Sequence, residues 1–431
     1  MTGSGRSPGS TAPRRRNWAG NLEYRSATLA HPRDVAELAE LVRRNRRVKA
    51  LGSRHSFSDV ADTDGVQVSL DRLPAHVVVD RSGAAPAVAC AAGMTYDQLS
   101  DALRGQGLAL PNLASLPHIS VGGAIQTGTH GSGAGNPALS GTVSAVELVD
   151  ATGRSVLVRD DSPDFGAVVV GLGAFGIVHR VTQRCVPAFE VAQRVWEDLP
   201  WDALLADLRA VTDSAYSVSL FTRFDSETVD QVWVKRRMAD PPAPDLTEWG
   251  ARAATSVRHM LPGTPPDNVT EQLDRPGPSS ERLPHFRPEF RPGRGDELQS
   301  EYLVDVEHGV HAIAELRALG DEIAPLLHTA EIRRVAPDTA WLSPSGARDS
   351  LALHFTWQSR SREVAALLPR LEARLIALEA RPHWGKIFTM GAADLGRAYP
   401  RLGDFAAAVE RWDPERRFAN PFLDRVLGAA G

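Results

Sequence analysis

Apolar positions along the chain recur at two periods, and the change from one to the other marks out the elements. After a polar, basic stretch over residues 1–16 (MTGSGRSPGSTAPRRR), Val35, Leu38, Ala39 and Val42 fall on one face at helical spacing. The pattern predicts a helix opened by Pro32 and closed by arginines, whose charge suits the C-terminal end of the helix dipole. The spacing then shortens to β-branched runs, VKAL, VQVSL, VVVD and AVACAA, separated by turn residues. Thr95 and Gln98 form a capping box ahead of an amphipathic helix carrying Leu99 and Leu103. Six of the fifteen residues in 121–135 (VGGAIQTGTHGSGAG) are glycine, after which AVELV and SVLV continue the strands to about residue 190.

Beyond that point VSLFTRF and DQVWVK read as strands, and residues 241–292 hold eleven of the 30 prolines, so long irregular connections are expected there. Strand SEYLVDV, a helix over 310–323, strands AEIRRV and LALHFTW, and a helix over 361–379 with Val364, Leu367, Leu368, Leu371 and Leu375 in register make a second unit. A final strand and helix close the chain. Strands and helices do not alternate regularly, which predicts an α+β fold instead of a doubly wound parallel sheet.

Composition narrows the function classes. The 431 residues are 42% hydrophobic and carry a net charge of −5, an ordinary globular balance with room for two domains. No basic block offers a nucleic-acid or anionic-membrane footprint, and no apolar run approaches the ~18 residues of a spanning helix. The expected protein is cytoplasmic, has a disordered tail over 1–16 and works without nucleic acid or membrane; a monomer is compatible with the sequence. Cys90 and Cys185 lie in strand-like runs as inert buried thiols, and no metal-ligand framework is present. Only Lys49, Lys235 and Lys386 are lysine, against 45 arginines, so each lysine marks a place where a compact ammonium of tunable pKa is wanted.

Gly171-Leu172-Gly173-Ala174-Phe175-Gly176 is a literal GxGxxG. The dinucleotide reading needs a helix directly afterwards, and IVHRVTQRCV reads as a strand, so a tight turn is expected. ALGSRHSFS (50–58) places His55 after a strand-ending glycine among small residues, and PNLASLPHISVGGAIQTGTHGSG combines backbone N–H groups and hydroxyls suited to phosphates, without a helix or lysine. In Glu331-Ile332-Arg333 the period of two puts both charges on one face, and in LHFTW it aligns His354 with Thr356 opposite Leu353, Phe355 and Trp357. Polar groups inside such apolar runs must meet each other or a polar ligand, because burying one unpaired costs on the order of 2–7 kcal/mol. Lys386, beside Trp384, is a further candidate.

The segments ALGSRHSFS, LPNLASLPHISVGGAIQTGTHGSG and DPERRFANPF, in this order, resemble the vanillyl-alcohol-oxidase superfamily of flavoproteins. NWAGN, SLFTRF, QVWVKRR, ELQSEYL, EIRRVAPDTAWLSP, LALHFTW and RPHWGK are more closely similar to its alditol oxidases. The resemblance implies an FAD-binding domain from 17–190 completed by 384–431, with an α+β substrate domain over 191–383 inserted between. It implies FAD attached covalently at His55, and cofactor contacts from Gly52, Ser53, Arg54, Ser56, Ser115, Ser120, Gly123, Ile177, His383 and Asn420. The run Thr127, Gly128, Thr129, His130, Gly131 and Ser132 would cradle the pyrophosphate. Substrate would meet Ser115, Gln299, Glu331, Arg333, His354, Thr356 and Lys386, with Lys386, Arg333, His354 and Glu331 catalytic. The implied reaction takes the terminal hydroxyl of a linear polyol to an aldehyde by hydride transfer to the flavin, and dioxygen is reduced to hydrogen peroxide. Lys386 and Arg333 are the candidates for polarising that hydroxyl; His354 competes with Lys386 as base. An aldonolactone oxidase or dehydrogenase, and a non-catalytic flavin or sugar binder, are the alternatives.

Overall fold

The computed structural model describes residues 14–290 and 297–428. Most of the expected tail lies outside the described residues, but Arg14–Arg16 do not behave as a tail. The Arg15 guanidinium donates to the Ser26 carbonyl (3.0 Å) and to Gln67 Oε1 (3.2 Å), which ties the segment to the body.

Two small sheets use residues before 185. Thr28–Ala30, Val66–Val68 and Val48–Ala50 form a parallel three-stranded sheet, and Val77–Asp80, Ala87–Ala91, Ile177–Arg184, Val143–Val149 and Ser155–Arg159 form a five-stranded antiparallel one in that order. The helix Val35–Arg44 covers them with Leu38, Ala39 and Val42. It begins three residues later than Pro32 suggests, because the Asp34 carboxylate accepts from the Glu37 N–H and caps it there. The Thr95–Gln98 capping box forms as expected and starts Tyr96–Arg104. The GxGxxG run is a tight turn leading into strand Ile177–Arg184, with Leu172, Gly173 and Gly176 at positive φ.

The third sheet is built from later residues, with one addition. Its centre comprises β1 (Ser217–Thr222), β2 (Thr228–Arg237), β3 (Glu297–Asp305), β4 (Leu327–Ala336) and β5 (Ser350–Gln358), in the antiparallel order β2-β1-β4-β5-β3. Gly133–Pro137, from the glycine-rich stretch, pairs in parallel with β4 and joins the early and late parts of the chain. One face of the sheet is apolar, with Ile332, Leu353, Phe355, Trp357 and Tyr302 fully buried. Helices Ser361–Ile376 and Gly309–Ala318 bury Val364, Leu367, Leu368, Leu371, Leu375, Ile313 and Leu316 in the same core. Each such side chain contributes about 1.5–3 kcal/mol by leaving water. The helix expected over 310–323 is interrupted at Leu319 and resumes as Gly320–Ile323. At Gly320 an added Cβ would stand 2.6 Å from the Phe224 carbonyl oxygen, so the chain passes too close to its neighbour for any larger residue.

Three helices, not one, follow Arg381–Pro382: Ala392–Ala398, Leu402–Trp412 and Pro421–Leu427. The closing segment returns to the first sheet, where Val48 N–H donates to the Arg417 carbonyl and Lys49 Nζ to that of Phe418.

Candidate functional site

Cross-strand register brings the polar positions together. Glu331 on β4 lies opposite His354 on β5, which lies opposite Glu301 on β3; one pleat along, Thr356 faces Gln299, and Arg333 follows Glu331 on the same face. Three adjacent strands thus present one polar patch on the face turned away from the helices. It forms the floor of a cavity of about 730 Å³ whose opposite wall comes from the early part of the chain, including Gly52–Phe57, Ser115, Ser120, Gly123, Thr127, Thr129 and His130. The volume is in the range of cofactor and ligand sites.

Glu301 is the hub of the floor. Its Oε1 accepts from Arg333 Nη2 at 2.7 Å and lies 3.2 Å from His130 Nε2, while Oε2 lies 3.3 Å from His354 Nδ1. Burial alone would raise its pKa, but His130, Arg333 and His354 outweigh that and hold the carboxyl well below its ordinary range. Glu331 is likewise held low against burial, first by Arg333 and then by His285, whose Nε2 meets its Oε1 at 2.7 Å. Burial, opposed by Glu301, lowers His354, so its ring is neutral at pH 7. Its Nδ1 faces Glu301 Oε2 at 3.3 Å without a hydrogen bond, and its Nε2 pairs with Thr356 Oγ1 at 3.2 Å. Arg333 also reaches Ser115 Oγ at 3.4 Å.

Lys386 Nζ donates to Gln299 Oε1 and stands 5.1 Å from the centre of the Phe57 ring. Burial pushes its ammonium down to about 8, against the pull of Glu301 and Glu297. Across the cavity His55 stacks on Trp18 with ring centres 5.5 Å apart. It follows Arg54, which occupies the left-handed region at φ 65°, a conformation that clusters at functional sites. Burial, then Lys386 and His118, lower the imidazole to about 4, so the ring is neutral, and its Nδ1 is buried with no hydrogen-bond partner. The backbone beside it is packed closely. A Cβ at Gly52 would stand 2.4 Å from Ser120 Oγ, whose oxygen accepts from Ser53 N–H.

All seven expected substrate residues therefore line one cavity, together with Gly52, Ser53, Arg54, His55, Ser56, Ser120, Gly123, Thr127, Thr129, His130 and His383. Five expected cofactor residues do not. Gly128 packs on Pro344, Gly131 sits against the Leu113 carbonyl, and the Ser132 hydroxyl pairs with that of Ser217. Ile177 belongs to the core under the first helix, and the Asn420 amide donates to the carbonyls of Asp59, Val60 and Asp62. The glycine-rich stretch also opens as a helix, Val121–Gln126, where the sequence suggested a loop throughout.

Sequence reasoning missed Glu301 and His285, and singled out Lys49 and Lys235 without giving them a role. Glu301 was within reach, two residues beyond Gln299 on the same strand face. The scarcity of lysine also pointed to Lys49 and Lys235, both fully buried. Lys49 Nζ donates to the carbonyls of Leu172, Gly173 and Phe418 and fastens the GxGxxG turn. Nothing signalled His285, because it comes from the proline-rich connections.

Comparison with known proteins follows the same outline. Residues 26–159 match the family described as FAD binding domain, and residues 296–426 match that described as D-arabinono-1,4-lactone oxidase. The chain is 46% identical to an alditol oxidase of Streptomyces sp. (strain IKD472 / FERM P-14339), covering 95% of this chain and 98% of that one. It is 28% identical to L-gulono-1,4-lactone dehydrogenase of Mycobacterium tuberculosis (96% and 98% covered) and 26% identical to L-gulonolactone oxidase of Mus musculus (95% and 97%). A solved cholesterol oxidase from B. sterolicum superposes with a TM-score of 0.76 over 99% of this chain and all of that one, at 14% identity, so it shares the fold.

Proposed function

The chain belongs to the vanillyl-alcohol-oxidase family of FAD-dependent oxidoreductases, in the group that includes alditol oxidase, and from that premise we propose that it oxidises the terminal hydroxyl of linear polyols of the xylitol and sorbitol class to the aldose, with FAD held covalently at His55 and dioxygen reduced to hydrogen peroxide. Bound FAD supplies the two-electron acceptor. The observation that carries the reading is the single cavity lined by Ser115, Gln299, Glu331, Arg333, His354, Thr356 and Lys386, which offers both donors and acceptors to a ligand with a hydroxyl on every carbon.

An alcohol gives up hydride readily only when its O–H proton is leaving. His354 is suited to take that proton, since burial favours its neutral form and its Nε2 lies on the Thr356 side, away from Glu301. Lys386 and Arg333 are suited to stabilise the negative charge that develops on the oxygen. Glu331, Gln299, Thr356 and Ser115 are left for the remaining hydroxyls. The neutral His55 ring with its unpartnered Nδ1 suits a covalent anchor, since a nucleophilic nitrogen must be unprotonated and unengaged.

The test is acid precipitation of the purified protein followed by anaerobic titration of the native enzyme with xylitol. Yellow colour retained by the polypeptide, with added mass on the peptide containing His55, and bleaching by xylitol are the expected results. Bleaching by an aldonolactone but not by polyols would move the substrate to the lactone class favoured by the more distant relatives; no flavin at all would overturn the reading.

A further inference from the structure

His285 lines the cavity beside the substrate patch with Lys235 in contact behind it, and neither has a part in the chemistry described so far. Lys235 projects from β2, on the same sheet face as Glu331, and is completely buried. His285 arrives from the proline-rich connections, where its backbone N–H donates to the Ser115 carbonyl at 3.1 Å. Its ring packs edge-on against Phe221 and Trp233, with centres 5.6 and 5.4 Å away.

Hydrogen bonding determines which ring nitrogen carries the proton. Lys235 Nζ donates to the carbonyls of Leu283 (2.5 Å) and Pro284 (3.2 Å), and its third contact is His285 Nδ1 at 3.1 Å. Burial, opposed by Glu331, lowers the Lys235 ammonium to about 7, and in its charged form it has three protons and no lone pair, so Nδ1 must accept. Burial and then Lys235 lower the ring to about 4, so it is neutral and its single proton is on Nε2, which donates to Glu331 Oε1. Arg333 Nε also faces that oxygen, at 3.6 Å. No hydrogen bond from the described residues reaches Glu331 Oε2.

Resting on the polyol reading of this cavity, we propose that His285, held in one tautomer by Lys235, is a positioning residue that occupies Glu331 Oε1 and so turns Oε2 to accept a substrate hydroxyl. Glu331 would otherwise be free to rotate and pair both oxygens with the Arg333 fork, which would remove both groups from the substrate. The proline-rich segment thus has a task in the site: it carries the second support of the carboxylate. Glu301, His354 and Lys386 line the same cavity as Glu331.

The test is a double-mutant cycle on the flavin-loaded enzyme. His285→Phe is expected to raise KM for xylitol about 10- to 100-fold, the range for a hydrogen bond to a charged group, with kcat changed far less. In a Glu331→Gln background the same substitution should have no further effect, because it acts only through that carboxylate. His285→Gln, whose amide can replace the Nε2 donor, should recover most of the affinity. Equal additive losses in both backgrounds, or a His285→Gln enzyme as impaired as His285→Phe, would overturn the proposal. If His285→Phe does not fold, the Gln variant and ¹⁵N NMR of the histidine-labelled wild type still decide it. A ring protonated at Nε2 is expected; a ring protonated at Nδ1, opposite a neutral lysine, would overturn it. That spectrum needs no substrate, so an enzyme that polyols do not reduce would defeat the functional reading separately.

Discussion

Lys386 makes the most demanding prediction, because its role decides the direction of a pH profile. Burial lowers its ammonium to about 8. With that value about 90% of the side chain is charged at pH 7 and about 10% at pH 9. If the cation stabilises the developing alkoxide, flavin reduction at saturating xylitol should fall roughly 10-fold between those pH values; a neutral lysine acting as base would make it rise. His354 is lowered from its ordinary value by burial, against the pull of Glu301, so any acid-side loss of rate from its protonation should have its midpoint below about pH 6.5. Anaerobic stopped-flow absorbance reads the rate directly. Lys386→Met should lower the profile by about 10²–10³, the loss typical of one donor to a developing oxyanion, and remove the alkaline fall. Lys386→Arg keeps its charge throughout and should be flat to pH 10 at a reduced rate, since its flat fork cannot reproduce a compact ammonium. A rate that rises through pH 8, or a Met variant that keeps the alkaline fall, would refute the cationic role.

Other consequences follow from the same contacts. Glu301→Gln leaves buried Arg333 with a single carboxylate partner among the described residues, Glu331 at 3.6 Å, and should destabilise the protein by about 3–5 kcal/mol in chemical denaturation. Glu301 and Glu331 have lowered folded-state pKa values, so the stability they contribute is complete above the ordinary carboxylate range and is lost only as pH falls through those lowered values; acid denaturation midpoints should therefore move upward in Glu301→Gln. Gly131→Ala drives a Cβ to 2.3 Å from the Leu113 carbonyl oxygen and should lower the melting temperature, whereas Gly52→Ala meets the movable Ser120 hydroxyl and should act mainly on flavin content. Thr95→Ala removes one side of a capping box and should cost about 1 kcal/mol without changing flavin reduction.

Periodicity along one strand identified which residues share a face, which is why Glu331 with Arg333, and His354 with Thr356, were readable before any pairing was known. The same local rules found the Thr95 cap and rejected a dinucleotide helix after Gly176, since the β-branched content of the following residues is a property of the segment alone. Pairing is different in kind. That His354 stands between Glu331 and Glu301 depends on the register of three strands whose order along the chain is not their order in the sheet. The resemblance of motifs named residues but could not distinguish a side chain in the cavity from one holding the backbone behind it. Asn420 and Ile177, for example, do not line the cavity and make the packing contacts described above. His285 is the clearest case: nothing in the prolines around it marks chemistry, and its place between Lys235 and Glu331 comes only from the path that segment takes over the sheet. The sequence by itself determined most of the periodic elements and the Thr95 cap, because these depend on neighbours a few residues away, and it identified the family from the order of its motifs. Only the tertiary structure decided which charges meet in the interior, because a buried carboxylate takes its partners from segments tens to hundreds of residues distant.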